Sequence, residues 1–182
     1  GTLDTYDILY GSVDNGSTWT DITNKVSGTS ITWDGATLSG SSSITFKVGD
    51  LAGNTETSNT GTTAYVLDTT NPTTTISGID ISADTGSDAT DFNTKTASQT
   101  ITGTLSGGLV SGEELYGSVD NGSTWTDISN KVSGTSITWD GATLSGSSTI
   151  LLEVRDLAGN SGSQASQAYV LDTTAPSFTV SS

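Results

Sequence analysis

The chain has no cysteine, no methionine and no histidine, and it contains only two prolines in 182 residues. Without cysteine no disulfide can form, and without cysteine or histidine a structural zinc site is not expected. The absence of histidine also removes the usual general base of a serine or threonine nucleophile. Any acid–base chemistry would therefore fall to carboxylates alone.

Positive charge is also scarce. Five lysines and arginines stand against 20 aspartates and glutamates, which gives a formal net charge of −15. A surface of this kind repels nucleic acid and anionic membranes, but it attracts cations. No apolar run has the length of a signal peptide or a membrane span. We therefore expect no nucleic-acid partner and no direct insertion into a membrane.

The dominant feature of the chain is a long internal repeat. Residues 10–44 return as residues 116–150, and the two copies differ only at Thr23/Ser129 and Ser43/Thr149. The offset of 106 residues is the size of a small domain rather than of a solenoid repeat. The match continues beyond this stretch, with residues 46–54 resembling 152–160 and residues 65–70 repeating as 169–174. The sequence predicts a tandem array of near-identical domains.

Short alternating apolar runs predict β-strands in both copies. In the second copy the predicted strands are residues 74–81, 99–105, 114–119, 123–128, 136–139, 149–154 and 167–171. Short strands at roughly ten-residue spacing, without helical periodicity, are typical of a two-sheet antiparallel sandwich. The Asn-Gly pairs at 15–16 and 121–122 predict type I′ hairpin turns. The predicted fold class is all-β, with tandem immunoglobulin-like antiparallel β-sandwiches.

The domain boundaries follow from the repeat. Residues 1–70 are predicted to be a repeat that lacks its first strand or strands, because little sequence precedes Tyr10. Residues 71–174 are predicted to form a complete repeat. Residues 175–182 match the opening of that repeat and are predicted to begin a further one.

Four phrases in this order resemble a known family. ISADTGSDATDF at 81–92, YGSVDNGSTWTDI at 116–128, VRDLAGN at 154–160 and YVLDTTAP at 169–176 are similar to the tandem bacterial immunoglobulin-like repeats of giant type I-secreted adhesins. The resemblance covers nearly the whole chain. It implies an extracellular extender region that holds a ligand-binding tip away from the bacterial surface. It also implies calcium near the domain junctions, and neighbouring repeats of the same polypeptide as partners.

Strand counting places several acids where such calcium would bind. If the strands alternate in direction, Asp84, Asp91 and Asp172 fall at one end of the second domain. Carboxylate oxygens are the ligands that calcium prefers. These three residues are the candidate ligands at that end.

A second candidate calcium site lies at the junction of the two domains. Asp68, in the short linker, is expected to meet Asp156 of the DLAGN loop there. Asp50, the equivalent of Asp156 in the first copy, would face a domain outside these residues. The alternative for all six acids is that they form turns, since aspartate bonds readily to its own backbone.

The tryptophans and the chain ends suggest further alternatives. Trp19, Trp33, Trp125 and Trp139 could stack on sugars, but a core this poor in large residues is expected to need them inside. The tail at 177–181 could pair with the open edge of the first domain of another copy by strand exchange, building a head-to-tail fibre. An enzyme is not expected, because the acids repeat in turns from domain to domain.

Overall fold

Almost every regular element in the described part of the chain is a β-strand. The computed structural model describes residues 2–56 and 61–180. The chain divides into two units, unit 1 (Gly1–Asp68) and unit 2 (Thr69–Ser182). Within the described ranges, no helix is both long enough and apolar enough to cross a membrane. The last two residues of the predicted third segment, 181–182, lie outside the described residues.

The strands and the two short 3-10 helices have the following bounds. Unit 1 contains β1 (Asp7–Ser12), β2 (Thr20–Asp21), a 3-10 helix (Thr23–Lys25), β3 (Val26–Ser27), β4 (Ser30–Ile31), β5 (Ser42–Asp50), β6 (Thr55–Glu56) and β7 (Thr62–Tyr65). Unit 2 contains β8 (Ile76–Ile81), β9 (Asn93–Thr94), β10 (Ser98–Leu105), β11 (Glu113–Ser118), β12 (Thr126–Asp127), a 3-10 helix (Ser129–Lys131), β13 (Val132–Ser133), β14 (Ser136–Thr143), β15 (Ser148–Asp156) and β16 (Ala165–Leu171).

Unit 2 is built from two sheets that share one core. One sheet has the order β13-β14-β10-β8, and the other has the order β12-β11-β15-β16-β9. Every described pairing is antiparallel except that of β16 with β9. The prediction of an all-β antiparallel fold is confirmed, and each strand predicted in the second copy is present. The two-residue strands β9 and β13 are additional.

Alternation along the strands creates the core of unit 2. Ile101 and Leu105 of β10 point into the same buried cluster as Leu115 of β11 and Leu152 of β15. These side chains are almost completely removed from water. Because both sheets contribute to one cluster, unit 2 is β-sandwich-like.

The turns at the two Asn-Gly pairs differ in part from the prediction. Asn121 and Gly122 both have positive φ, of 56° and 83°, as a type I′ turn requires. The hairpin is nevertheless wider than two residues, because β11 and β12 pair only at Tyr116↔Asp127 and Gly117↔Thr126. The predicted strand at 123–128 therefore shrinks to Thr126–Asp127.

Close packing against a tryptophan requires glycine at the same position of the repeat in both units. A Cβ added at Gly117 would lie 2.5 Å from the Trp139 ring, and a Cβ at Gly11 would lie 2.5 Å from the Trp33 ring. Any side chain there would force the indole to move. The same strand-to-tryptophan contact therefore forms in both copies.

Unit 1 has one of these two sheets and only a remnant of the other. Its larger sheet has the order β2-β1-β5-β6, with β7 also paired to β5. The second sheet consists of β3 and β4 alone. Residues 2–56 and 61–68 contain no counterpart of β8, β9 or β10. The prediction that residues 1–70 are a repeat without its first strands stays a prediction.

The missing strands change the burial of identical residues. β4 has two residues, whereas its equivalent β14 has eight and pairs along most of its length with β10. Ile31 is 42% exposed, whereas Ile137, at the same place in the repeat, is 1% exposed. The local sequence is the same, so the difference comes from the neighbouring strand.

This difference predicts unequal costs for the same substitution. Ile137→Ala should destabilise unit 2 by about 3 kcal/mol, because it leaves a cavity in a closed core. Ile31→Ala should destabilise unit 1 by about 1 kcal/mol or less, because water already reaches the side chain. Urea unfolding, followed by amide exchange in fragments containing β10 for unit 2 and Phe46 for unit 1, measures both costs. Equal costs would contradict the burial difference.

Candidate functional site

The parallel pairing of β9 with β16 brings three acidic segments to one end of unit 2. The N–H of Val170 donates to the carbonyl oxygen of Phe92 at 2.9 Å, and the N–H of Asp172 donates to that of Thr94 at 2.9 Å. These bonds hold the end of β16 beside the loop that follows β8. Asp84, Asp91 and Asp172 therefore lie on adjacent segments, at the same end of the unit.

Asp84 is the most unusual of these acids. Its Oδ2 accepts a hydrogen bond from the N–H of Phe92 at 2.9 Å. Its Oδ1 is buried and has no hydrogen-bond partner among the residues that the structure describes. A buried carboxylate oxygen without a partner is costly, because it has lost its hydration without compensation. The donor chemistry and the open oxygen fit a hard cation.

The backbone beside Asp84 is strained. Phe92 has a φ of 59°, in the left-handed region that bulky residues avoid. Such a conformation costs on the order of 1–2 kcal/mol. The phenyl ring packs on the core of unit 2, which helps to offset this cost. The strained residue donates its N–H to Asp84, so the position of that carboxylate depends on an unfavourable backbone conformation at Phe92.

The loop is also tied to the sheets by hydroxyl and amide groups. The Thr94 hydroxyl donates to the carbonyl oxygen of Ala83 at 2.6 Å. The buried Gln99 side chain accepts a hydrogen bond from the N–H of Ala83 at 2.8 Å and donates to the carbonyl oxygen of Thr96 at 2.7 Å. The residues just before Asp84 are thus held from two directions.

The other two predicted ligands at this end have local roles. Asp91 Oδ1 accepts from the N–H of Asn93 at 3.0 Å, and hydrogen bonds from the Asn93 side chain and backbone lower the pKa of Asp91. Asp172 Oδ1 accepts from the N–H of Thr174 at 2.8 Å. In the part of the chain that the structure describes, no three acidic side chains converge as a group able to hold a metal. The segments are brought together, but the carboxylates are not.

Asp156 and Asp50 use their carboxylates within their own loops. Asp156 Oδ1 accepts from the N–H groups of Ala158 and Asn160, both at 2.9 Å, and Oδ2 accepts from the Asn160 side chain at 2.8 Å. The bond from the Asn160 side chain is the main cause of a lowered pKa at Asp156. Asp50 makes the same set of bonds with Ala52 and Asn54. The expected meeting of Asp156 with Asp68 involves both units and stays a prediction.

Two of the four tryptophans do not lie in a core. Trp139 is buried, and Trp33, its equivalent in unit 1, points the same way and meets Phe46 edge-on at 6.4 Å. Trp19 and Trp125 lie half-buried beside the outer faces of the sheets. The prediction that all four fill the core is wrong for these two, because they fall in the wide turns after β1 and β11.

Each outer tryptophan is covered by a cation of its own unit. Lys47 Nζ lies 4.2 Å from the Trp19 ring centroid, and the Arg155 guanidinium carbon lies 4.7 Å from that of Trp125. A cation held over an indole face in this way is stabilising. A cation of the same unit therefore covers one face of each indole ring, which leaves less aromatic surface for stacking on a sugar.

The cation comes from different positions in the two copies. Lys47 lies opposite Tyr10 in the β1–β5 pairing, but the residue opposite Tyr116 is Glu153. In unit 2 the cation is instead Arg155, two residues further along the same face of β15 and 4.5 Å from the Tyr116 ring centroid. Glu153 is 6% exposed and bonds to Arg155. Both units therefore have a cation on the outer face of this sheet, although different positions of the repeat supply it.

No family model matches the chain, and no curated protein matches it.

The wide turns predict a pH effect on stability. Hydrogen bonds from Thr124 and then Ser118 lower the pKa of Asp120 from 3.8 to about 2. Because folding favours the charged carboxylate, its contribution is present above pH 3.8 and is lost as the pH falls through about 2. The Asp120 carboxyl carbon should titrate near pH 2 when followed by NMR. The variant Asp120→Asn should reduce the loss of unit 2 stability that accompanies a fall in pH toward 2.

Asp14 provides a matched check in unit 1. Thr18 and Ser12 lower its pKa to about 2 in the same way. Asp14→Asn should reduce the loss of unit 1 stability at acid pH and leave the pH dependence of unit 2 stability unaltered. Titration of either carboxyl at its ordinary pKa would show that the turn hydrogen bonds do not persist in solution.

Proposed function

We propose that the chain is an extender segment of a bacterial cell-surface adhesin, in which tandem immunoglobulin-like domains project a ligand-binding tip for adhesion or biofilm formation. One observation carries the proposal. Two stretches of 35 residues differ at only two positions, and together with the residues that flank them they form the same pairings in both copies, β1 with β2 and β5, and β11 with β12 and β15. Repetition of one unit with so little change adds length rather than new surface chemistry.

The proposed role is structural rather than catalytic. Asp50 and Asp156 occupy equivalent turns in the two copies, and hydrogen bonds within their loops engage them in the same way. A pair of catalytic carboxylates would need a cleft with different environments for an acid and a base. Neighbouring repeats of the same polypeptide are the proposed partners, and the proposed location is extracellular, at the bacterial surface.

Calcium is the proposed cofactor. Asp84 would contribute its buried Oδ1, and Asp91 and Asp172 are the nearby acids on adjacent segments. A bound cation would neutralise part of the net charge of −15 and compensate the isolated oxygen of Asp84. Asp68, Asp156 and Asp50 are the proposed ligands of junction sites, where the ion would compete with the hydrogen bonds within the DLAGN loops.

The linker at residues 68–72 suits an extender. It is short, and Pro72 fixes its own φ while favouring an extended conformation at Asn71. A linker of this kind has little slack. Calcium at the ends of the domains would restrict it further, at free-calcium levels of about 0.1–1 mM, which are typical of extracellular modules.

Small-angle scattering of the whole chain tests the extender role. With calcium at about 1 mM the longest dimension should be greater than with excess chelator, because the ion would stiffen the chain. Circular dichroism should show the same β content in both conditions. An unchanged scattering curve would show that calcium does not stiffen the chain, and the linker alone would then have to provide any stiffness.

Calorimetric titration with calcium tests the ligands directly. Asp84→Asn keeps an oxygen that can accept from Phe92 but removes the charge, and it should weaken binding at least tenfold, equivalent to about 1.4 kcal/mol. Asp88→Asn is the matched control, since Asp88 lies in the same loop and its carboxylate accepts hydrogen bonds from the N–H and hydroxyl groups of Thr90. Equal effects of the two variants would show that only net charge matters.

A further inference from the structure

We propose that the asparagines of the two Asn-Gly turns are sites of spontaneous deamidation, and that a buried serine hydroxyl in each turn controls the rate. The asparagines are Asn15 and Asn121, and the serines are Ser12 and Ser118. The inference goes beyond the extender role and does not depend on calcium. It rests on a set of hydrogen bonds that forms in the same way in both units.

Deamidation at an Asn-Gly pair is a reaction of the chain with itself and with water. The backbone nitrogen of the glycine loses its proton and attacks the side-chain carbonyl carbon of the asparagine. Ammonia leaves, a cyclic succinimide forms, and water opens the ring to aspartate or isoaspartate. Glycine favours this attack because it has no Cβ to hinder it. Of the asparagines in the chain, only Asn15 and Asn121 are followed by glycine.

The asparagine of each turn is accessible to water. Asn15 and Asn121 are exposed and have φ values of 57° and 56°, in the wide turns after β1 and β11. The N–H of Asn121 donates to the carbonyl oxygen of Thr149 at 3.1 Å, and that of Asn15 donates to the carbonyl oxygen of Ser43 at 3.1 Å. The main chain is therefore anchored at the asparagine, while the reactive amide faces the solvent.

The nitrogen that would attack is held inside the turn. The N–H of Gly122 donates to Ser118 Oγ at 2.9 Å, and the N–H of Gly16 donates to Ser12 Oγ at 2.8 Å. Both serines are 1% exposed, so the proton that must leave points at a buried oxygen and not at water. A hydroxyl is too weak a base to remove an amide proton. The reaction therefore has to wait until this hydrogen bond opens.

An aspartate keeps the serine oriented for this role. The Ser118 hydroxyl donates to Asp120 Oδ1 at 2.7 Å, so its oxygen remains an acceptor for Gly122. The same carboxylate accepts from the N–H and the hydroxyl of Thr124 at 2.8 and 2.6 Å. Its charge also disfavours the negative charge that develops on the glycine nitrogen when the proton leaves. Asp14 makes the corresponding bonds in unit 1.

Side chains pack against the same glycines. A Cβ added at Gly122 would lie 3.4 Å from Leu151 Cδ1 and 3.6 Å from Trp125 Cζ2, and one at Gly16 would lie 3.2 Å from Trp19 Cζ2. The glycine cannot move far without disturbing the half-buried indole. Each outer tryptophan therefore helps to keep the attacking nitrogen in place.

The product would weaken the turn that delays its formation. Isoaspartate adds a methylene group to the main chain and a further negative charge to a chain of net charge −15. At position 121 it would move Gly122 away from Ser118 and disturb the hydrogen bond to Thr149. Each repeat thus contains a slow, irreversible reaction that starts at this turn.

Comparing the whole chain with a free peptide tests the protection. Both are incubated in the same mildly alkaline buffer, and the conversion of amide to acid is located by mass spectrometry. Cleavage after lysine and arginine gives fragments 1–25 and 96–131, which separate the two turns. Asn121 should deamidate at least about tenfold more slowly in the folded chain than in a peptide of residues 116–128, because the turn has to open first. Equal rates would overturn the proposal.

Two variants of the whole chain distinguish the serine from general loosening of the turn. Ser118→Ala should accelerate deamidation of Asn121 about fivefold, which corresponds to the loss of one hydrogen bond. Thr124→Ala is the matched control, because it also removes a hydroxyl bonded to Asp120 but leaves the bond between Gly122 and Ser118 in place. It should change the rate by about twofold at most.

Asn15 serves as the reference within each of these chains, and its rate should be the same in both. Ser12→Ala repeats the test in unit 1, with Asn121 as the reference. Unchanged amide exchange in β15 for Ser118→Ala, and in β5 for Ser12→Ala, would show that the unit carrying the substitution remains folded. Failure of both serine variants to accelerate the reaction, or an equal acceleration by Thr124→Ala, would overturn the role of the serine hydroxyl.

Discussion

The pairing of β10 with β14 determines how much of each repeat becomes a core. β14 continues for eight residues where β10 lies beside it, but β4, with the same sequence, stops after two. The intrinsic strand preference of this sequence is identical in both places. Strand formation is thus decided by a partner more than thirty residues away in sequence, as expected when β propensity reflects packing against neighbours. The burial of Ile137 and Trp139 follows from that single contact.

Much of the fold was predictable because the signals are local. Alternation located the strands of unit 2, and the Asn-Gly pairs indicated positive φ at Asn121 and Gly122. The width of that hairpin was not predictable, because Asp120 ties Thr124 and Ser118 into the turn through its side chain. β9 was missed for a different reason. It is formed by the polar pair Asn93–Thr94, which becomes a strand only beside β16.

The candidate site was also predictable only in part. Strand direction predicted Asp84, Asp91 and Asp172 at one end of the unit, and the parallel β9–β16 pairing brings their segments, though not their carboxylates, together there. Sequence alone could not distinguish Asp84 from its neighbours. Its buried oxygen and the positive φ of Phe92 arise from the path of the loop, and neither feature can be predicted from the composition of the sequence or the spacing of its residues. Most of the other acids are engaged by nearby N–H or hydroxyl groups, which is why so acidic a chain can place them in tight turns.

The strand directions in unit 2 also bear on how it would respond to tension. β8 and β16 run the same way, because the loop after β8 and the end of β16 meet through Phe92 and Thr94. The chain therefore enters the unit at one end and leaves it at the other. A pull along this line would load the hydrogen bonds of β8 with β10 and of β16 with β15 in shear. Many bonds would then have to break at once instead of opening one after another.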